Sequence, residues 1–301
     1  MLETEEARHE SPTGSMFRHA PSSSFRVSGA DTLDWLDRML TGDLRAQGRE
    51  AQRSLCLDRT GKIHGELLCW LGRQEADLVL TGGDRGEVVD HLSRHIIMED
   101  VAVEVTTKTL YSCHGQDAVG IASQLASMDG VRSEQLLWLL PNDCVWLVPA
   151  EQEPEWLSRV GSLGITVGDA EVWEQLRISS GLPRFGRDYT SSDTPSVAGL
   201  VSELVSQTKG CYLGQEVVCR TVMRGSVREQ VTRLKFEQAP SPGATIGAAT
   251  GELIGTVTSV ARLTTQGAWA IGRVKTNAIE ASGPVTADGI TGQISPRVLT
   301  A

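Results

Sequence analysis

The 301-residue chain contains no run of about 18 apolar residues, so no segment reads as a membrane-spanning helix. It also lacks any C-x-x-C pair: Cys56, Cys69, Cys113, Cys144, Cys211 and Cys219 are scattered. That spacing suggests neither a disulfide framework nor a zinc ribbon, and fits thiols in a reducing compartment. Positive charge is in short supply as well. A formal net charge of -10 argues against general binding to DNA or to acidic membranes. There is no internal repeat or low-complexity tract. The opening Met1-Leu2-Glu3-Thr4-Glu5-Glu6 is acidic and unlike a signal or transit peptide, so a cytoplasmic protein is expected.

What is present is an ordinary globular composition, 40% hydrophobic and 22% charged, on a length that suits about two domains. The acidity is uneven: residues 1–228 hold 22 Lys/Arg against 33 Asp/Glu, and residues 229–301 hold 6 against 5. Within 205–235, Lys209, Arg220, Arg224, Arg228, Arg233 and Lys235 face only Glu216 and Glu229. A cationic strip on an acidic protein suits a small anionic ligand; a solvated helix face is the alternative.

The patterning divides the chain into a mobile lead-in over 1–23, an α+β portion over 24–228 and a β-rich portion over 229–301. In the first portion Leu33, Leu36, Met39 and Leu40 fall at helical spacing. Arg53–Leu57 and Ile63–Leu71 read as strands joined by the turn Asp58-Arg59-Thr60-Gly61. Strands are also expected at 77–80, 101–105, 109–112 and 145–148, and helices at 86–95, 117–128, 155–163 and 169–181. Residues 183–208 read as a long ordered loop, the kind of segment that carries function. After Arg228, short glycine-broken β runs at 232–236, 253–260, 268–274 and 284–290 predict a small antiparallel barrel or sandwich.

The most informative stretch is K-G-C-Y-L-G-Q-E, Lys209 to Glu216. Gly210 and Gly214 permit positive φ or close approach of a ligand, and Gln215–Arg224 reads as a short helix. Cys211 is then expected near a helix N-terminus with Lys209 beside it, and both favour thiolate. A structural turn with a small buried cysteine is the alternative.

This run resembles the K-G-C-[FY]-x-G-Q-E signature of YgfZ-type folate-binding proteins, relatives of the glycine-cleavage T-protein, an aminomethyltransferase. The likeness continues in Leu176-Arg177-Ile178-Ser179-Ser180-Gly181-Leu182-Pro183, in Arg220 with Arg224-Gly225, in Val27-Ser28-Gly29-Ala30-Asp31 through Thr41-Gly42-Asp43-Leu44, and in Asp58-Arg59-Thr60-Gly61-Lys62-Ile63. It implies an aminomethyltransferase-like α+β fold with two intertwined subdomains and a C-terminal antiparallel β-barrel. It implies tetrahydrofolate or a derivative as cofactor, and iron–sulfur client or assembly proteins as partners. Cys211 and Lys209 would be the chemically active pair, with Gly210, Tyr212, Gly214, Gln215 and Glu216 completing the motif. Arg177 would bind the folate glutamate tail through its guanidinium fork; a salt bridge to Glu174 is the alternative. Trp173, four residues earlier on the same helical face, would stack on a pterin or aminobenzoyl ring unless it is simply core. Arg220 and Arg224 complete the expected folate contacts.

One departure matters. True aminomethyltransferases carry a G-G-x-x-D-D-L-like run where this chain has Gly65-Glu66, and their G-Y-T-G-E-x-G segment is absent near Asn142–Val148. A surface role for Glu66 is the default. His64, His91 and His95 lack partners at metal-ligand spacing and read as structural. The favoured function is a folate-binding accessory factor for iron–sulfur cluster assembly or repair in client enzymes, including tRNA-modifying ones. The alternatives are a folate-dependent one-carbon transferase or demethylase, and a ligand-binding protein in which Cys211 only packs.

Overall fold

The computed structural model describes residues 16–19, 23–46, 51–115, 117–125, 128, 130–136, 138–139, 143–225, 227–262 and 267–297, without the side chains of 224 and 262. Order begins earlier than the expected lead-in allows, because Met16–Arg18 forms strand β1. Its Met16 and Phe17 are buried, and burial of two large apolar side chains offsets the ordering of a short strand. Next come β2 (Ser24–Ser28), α1 (Thr32–Met39), β3 (Ala51–Leu57), β4 (Ile63–Leu71), β5 (Glu75–Gly82), α2 (Arg85–Ser93) and β6 (Ala102–Val105). The chain continues through β7 (Lys108–Cys113), α3 (Ala118–Leu125), β8 (Arg132–Leu136), β9 (Asp143–Pro149), α4 (Glu153–Ser162), β10 (Val167–Gly168) and α5 (Ala170–Ser180). Two one-turn helices follow, α6 (Pro195–Ala198) and α7 (Val201–Leu204), where a loop was expected, then α8 (Gln215–Arg224).

These elements build two five-stranded sheets. The first has the order β3-β4-β5-β2-β6 and the second β10-β1-β7-β9-β8. The chain therefore starts in the second sheet, completes the first and returns, which is the intertwining. The sheets face each other across one apolar layer in which Leu68, Trp70 and Val79 meet Leu110, Val145 and Leu147. Helices cover the outer faces: Trp35, Leu36 and Met39 of α1 pack on the first sheet, and Trp156 and Val160 of α4 on the second. In α2 and α5 an aspartate caps the first turn, Asp84 accepting from Glu87 N at 2.9 Å and Asp169 from Val172 N at 2.9 Å, which satisfies N–H groups that have no intrahelical partner.

Strands β11 (Glu229–Phe236), β12 (Thr245–Ala248), β13 (Leu253–Arg262), β14 (Ala268–Lys275), β15 (Pro284–Ala287) and β16 (Ile290–Ile294) close into a six-stranded antiparallel barrel, with the short α9 (Thr276–Ala281) outside. The single strand expected over 284–290 is a hairpin. Asp288 and Gly289 both take positive φ, 51° and 76°, as a two-residue turn of this twist requires. A shared core of Leu55, Leu57 and Ile63 with Ile178, Tyr189, Leu200 and Tyr212 against Val231, Ala261 and Ile271 joins the barrel to the first sheet.

Candidate functional site

A cavity of about 240 Å³ opens between the two sheets beside α5. Its wall includes His19, Glu66, Thr81, Trp138, Trp173 and Phe185. Trp173 contributes an aromatic face, its ring 5.6 Å from Trp138 and 4.6 Å from His19. Gly82 has room for no side chain, since a Cβ there would stand 2.6 Å from Phe185 Cβ, and the close approach lets the 183–189 loop form this wall.

Glu66 is not the surface residue expected from the hairpin. It is 4% exposed, and its carboxylate accepts from Arg53 Nη2 at 2.7 Å and from Tyr189 Oη at 2.6 Å. Arg53 continues to Glu203 at 3.2 Å. Burial and the neighbouring Glu66 push the Tyr189 phenol well above its usual range, so it stays a donor to the carboxylate. Sequence spacing could not show this, because Arg53 pairs with Glu66 only through the β3–β4 register and Tyr189 arrives from a distant loop. Thr81 Oγ1, on the same wall, is buried and has no hydrogen-bond partner among the described residues.

Arg177 has a different role from the one the resemblance implies. All five of its N–H donors are used inside the protein: Nε and Nη2 to Glu174 at 3.0 and 2.7 Å, Nη1 to Leu182 O at 3.1 Å and Asp188 at 2.8 Å, and Nη2 to Ser259 Oγ at 3.1 Å. A guanidinium has no sixth donor for a folate carboxylate. Arg177 borders the cavity as a clamp tying α5 to barrel strand β13. The salt bridge to Glu174 is real but is one part of that clamp.

The thiol loop is built from below. Lys209 does not stand at the thiol as a free cation. Its ammonium donates to the carbonyls of Asp37, Leu40 at 2.8 Å and Gly42 at 2.7 Å, with Asp37 Oδ1 at 3.2 Å, and so holds the turn after α1. Burial lowers its pKa, opposed by Asp37. Gly214 has φ +81° and lies so close to the β3–β4 turn that a Cβ would stand 2.6 Å from Asp58 O. Gly210 is not left-handed and would meet nothing. Tyr212 is buried under Lys209, its phenol pushed up to about 12 by burial. Cys211 is exposed, whereas Cys56, Cys69, Cys113 and Cys144 are buried. The N-cap of α8 is Gly214 and its first helical residue is Gln215, so the cysteine precedes the helix rather than capping it.

The expected cationic strip does not form one surface. Arg220 is exposed on α8, pairs with Glu216 one turn back and does not line the cavity. Arg224 ends the same helix, and its side chain lies outside the described residues. Arg233 covers the Trp269 ring at 4.3 Å on the barrel.

With this geometry in place, the chain overlays the glycine cleavage system aminomethyltransferase T of Bartonella henselae with a TM-score of 0.79 at 18% identity, over 95% of this chain and 85% of that one. Its fold is the aminomethyltransferase fold. In sequence it is 28% identical over 280 residues to the human mitochondrial iron–sulfur cluster assembly factor IBA57, covering 79% of this chain and 72% of that protein. It is 25% identical over 230 residues to the tRNA-modifying protein YgfZ of Edwardsiella ictaluri, covering 69% and 67%. An aminomethyltransferase of Bacillus cytotoxicus is 23% identical over 236 residues, and the alignment spans 68% of this chain and 63% of that protein. No family model matches. In sequence and in fold the chain is similar to YgfZ-type proteins and their aminomethyltransferase relatives.

Proposed function

We propose that this chain binds tetrahydrofolate or a derivative in the central cavity and acts as an accessory factor for iron–sulfur cluster assembly or repair in client enzymes, including tRNA-modifying ones. The observation that carries the reading is the cavity wall. A reduced pterin presents paired N–H donors on its amidine edge, and Glu66, fixed by Arg53 and Tyr189, offers a carboxylate with lone pairs remaining. Trp138 and Trp173 offer faces for the rings, and Thr81 Oγ1 is a buried polar atom still without a partner among the described residues. At the rim Arg184 uses only Nη1, toward Glu174, among the described residues, leaving donors for a carboxylate tail in place of Arg177. Bound folate supplies one-carbon carriage on its ring nitrogens. The names of the relatives supply the iron–sulfur and tRNA context, and the exposed Cys211 supplies a thiol for it.

Calorimetry with tetrahydrofolate tests the cofactor. Glu66→Gln is expected to weaken binding by about 1.5–3 kcal/mol, the worth of a hydrogen bond to a charged group. Unchanged affinity removes Glu66 from the site. The client role is tested by iron–sulfur enzyme activities in a deletion strain, which wild type restores and Cys211→Ser does not. A second reading, folate-dependent one-carbon transfer, is favoured by the burial of Glu66 in the cavity. Turnover of an aminomethylated carrier protein that is lost on Glu66→Gln would replace the accessory-factor reading with this one.

A further inference from the structure

The segment that leaves the barrel after β16 returns to the two-sheet body. Arg233 of β11 holds it at the end of α5: Ser295 N donates to Arg233 O at 2.9 Å, Arg233 Nε donates to Ser295 O at 2.9 Å, and Arg233 Nη1 donates to Ser179 O at 3.0 Å. The crossing is tight. Gly181 is the left-handed C-cap of α5, and a Cβ there would stand 3.0 Å from Arg233 Cδ and 3.2 Å from Arg297 Cβ.

Past this crossing Arg297 turns inward. Its Nη2 donates to the Trp138 carbonyl, and its Nη1 lies 3.2 Å from Glu203 Oε1 as an ion pair. Glu203 also accepts from Arg53 Nη1 at 3.2 Å, while Arg53 Nη2 donates to Glu66 at 2.7 Å and Tyr189 Oη donates to Glu66 at 2.6 Å. Arg297, Glu203, Arg53 and Glu66 thus form a row of alternating charge, each side chain more than nine-tenths buried. Of the four, Glu66 is the one that lines the cavity. Burial lowers the Arg297 pKa to about 10, with Glu203 opposing, so it is a cation at neutral pH. Two guanidinium groups balance two carboxylates. Without Arg297, one guanidinium serves two buried carboxylates, and a buried charge that loses its partner is costly. Arg53 is then drawn toward Glu203, and Glu66 loses the partner that fixes it opposite Tyr189.

We propose that Arg297 is a positioning residue of the central cavity, holding the Glu66 carboxylate in place through Glu203 and Arg53 and the Trp138 wall through its backbone carbonyl. The barrel thereby contributes to a site none of whose described lining residues comes from it. Resting on the folate reading, in which Glu66 takes the amidine edge, Arg297 adds to affinity without touching the ligand.

The chain has three tyrosines, and Tyr189 reports directly on the carboxylate that its hydroxyl bonds. In the ligand-free protein with carbon-labelled tyrosine, Arg297→Met is expected to move the Tyr189 ring-carbon NMR signal, assigned by Tyr189→Phe, and to leave those of Tyr111 and Tyr212 in place. Adding Glu203→Gln removes the other outer charge, leaves Arg53 facing Glu66 alone and should return the signal toward its wild-type position. A merely structural arginine is not rescued by removing its partner. Calorimetry with tetrahydrofolate should follow the same order: Arg297→Met about tenfold weaker, Arg297→Lys, which keeps the charge but not the fork, about threefold weaker, and Arg297→Met with Glu203→Gln within about threefold of wild type. On a Glu66→Gln background Arg297→Met should add no more than about twofold, because both changes act on one carboxylate. Where Arg297→Met does not fold, Arg297→Lys carries the same readouts with a smaller shift of the Tyr189 signal. An unmoved Tyr189 signal, no recovery on adding Glu203→Gln, or effects at Arg297 and Glu66 that simply add overturns the proposal. If tetrahydrofolate does not bind wild type, the folate reading fails, and the Tyr189 signal alone decides whether Arg297 holds Glu66.

Discussion

The thiol loop and the central cavity each depend on a buried cation, and the two cations are satisfied in opposite ways. Lys209 is surrounded mainly by backbone carbonyls from one local turn. Arg177 is held by carboxylates and a hydroxyl from three separated parts of the chain, including fully buried Asp188 and barrel residue Ser259. Removing the lysine leaves three neutral carbonyls, and Asp37 keeps the Leu44 N–H and the Arg45 guanidinium. A carboxylate left without its arginine is a stranded charge, which costs far more. The difference teaches that a cation inside a family motif is not by itself a ligand-binding cation. What it still has free to donate decides the matter, and neither Arg177 nor Lys209 has a donor to spare.

Breaking the comparison at its stronger end gives the largest expected effect. Arg177→Ala should destabilise the protein by about 3–5 kcal/mol in urea unfolding, because Asp188 remains buried with only Thr258, Ser259 and the Arg184 N–H around it. A loss of folate affinity with unchanged stability would restore Arg177 to the ligand. Lys209→Met should cost less, about 1–3 kcal/mol. It should leave the alkylation rate of Cys211 within about twofold once the fold is retained, since the ammonium points at carbonyls. A large, salt-dependent slowing would show that the lysine charge acts on the thiol after all.

A third test uses the carboxylate partner rather than the cation. Asp77 is buried, which alone would raise its pKa, but hydrogen bonds from Arg26 and Lys108 hold it below the ordinary aspartate value. Its stabilisation is therefore complete above the unfolded pKa, near 4, and is lost as pH falls through the lower folded value. Urea midpoints measured from neutral pH downward should fall below about pH 4, and Asp77→Asn should flatten that limb. An unchanged acid limb would mean that other carboxylates, such as Asp193 with Arg273, carry it. The smallest expected change in stability, within about 0.5 kcal/mol, is that of Cys211→Ser at an exposed position. The same cysteine should alkylate fastest of the six, because burial pushes the Cys56 and Cys113 thiols up to about 12 and that of Cys144 to about 11. Cys211 reacting as slowly as these would make the motif a structural turn.

The outline of the fold was legible because its signals are local. The apolar run Leu67–Leu71 after a glycine turn marks a strand, Asp169 and Gly181 bracket a helix, and glycine-broken β runs after residue 228 mark the barrel. The short partners were not legible. Met16–Arg18 is a strand because it pairs with Lys108–Cys113 on one side and Val167–Gly168 on the other, and Val167–Gly168 because it pairs with Met16–Arg18 at the edge of the second sheet. The site divides in the same way. The exposed cysteine and the motif helix follow from contiguous residues, whereas Glu66 with Arg53 and Tyr189, and Thr81 on the same wall, are brought together from segments far apart in sequence. Nothing in the spacing of Ser112 in β7 and His114 just past its end announces that the two side chains are hydrogen-bonded, since residues two apart in extended chain share a face whatever their chemistry.

The interleaving of the two sheets also sets an order of events during synthesis. The first sheet is drawn entirely from residues 24–105 and can close while the rest of the chain is still being made. Strand β1 leaves the ribosome before all of it, yet its neighbours are Lys108–Cys113 and the late-arriving Val167–Gly168. It therefore waits as a free apolar segment while a complete sheet forms beside it, the kind of long-range pairing that slows folding and exposes a nascent chain to chaperones. A ribosome-arrested chain from which only the residues up to Val105 have emerged should protect Phe25 and Val27 from proteolysis and leave Met16 and Phe17 open to it.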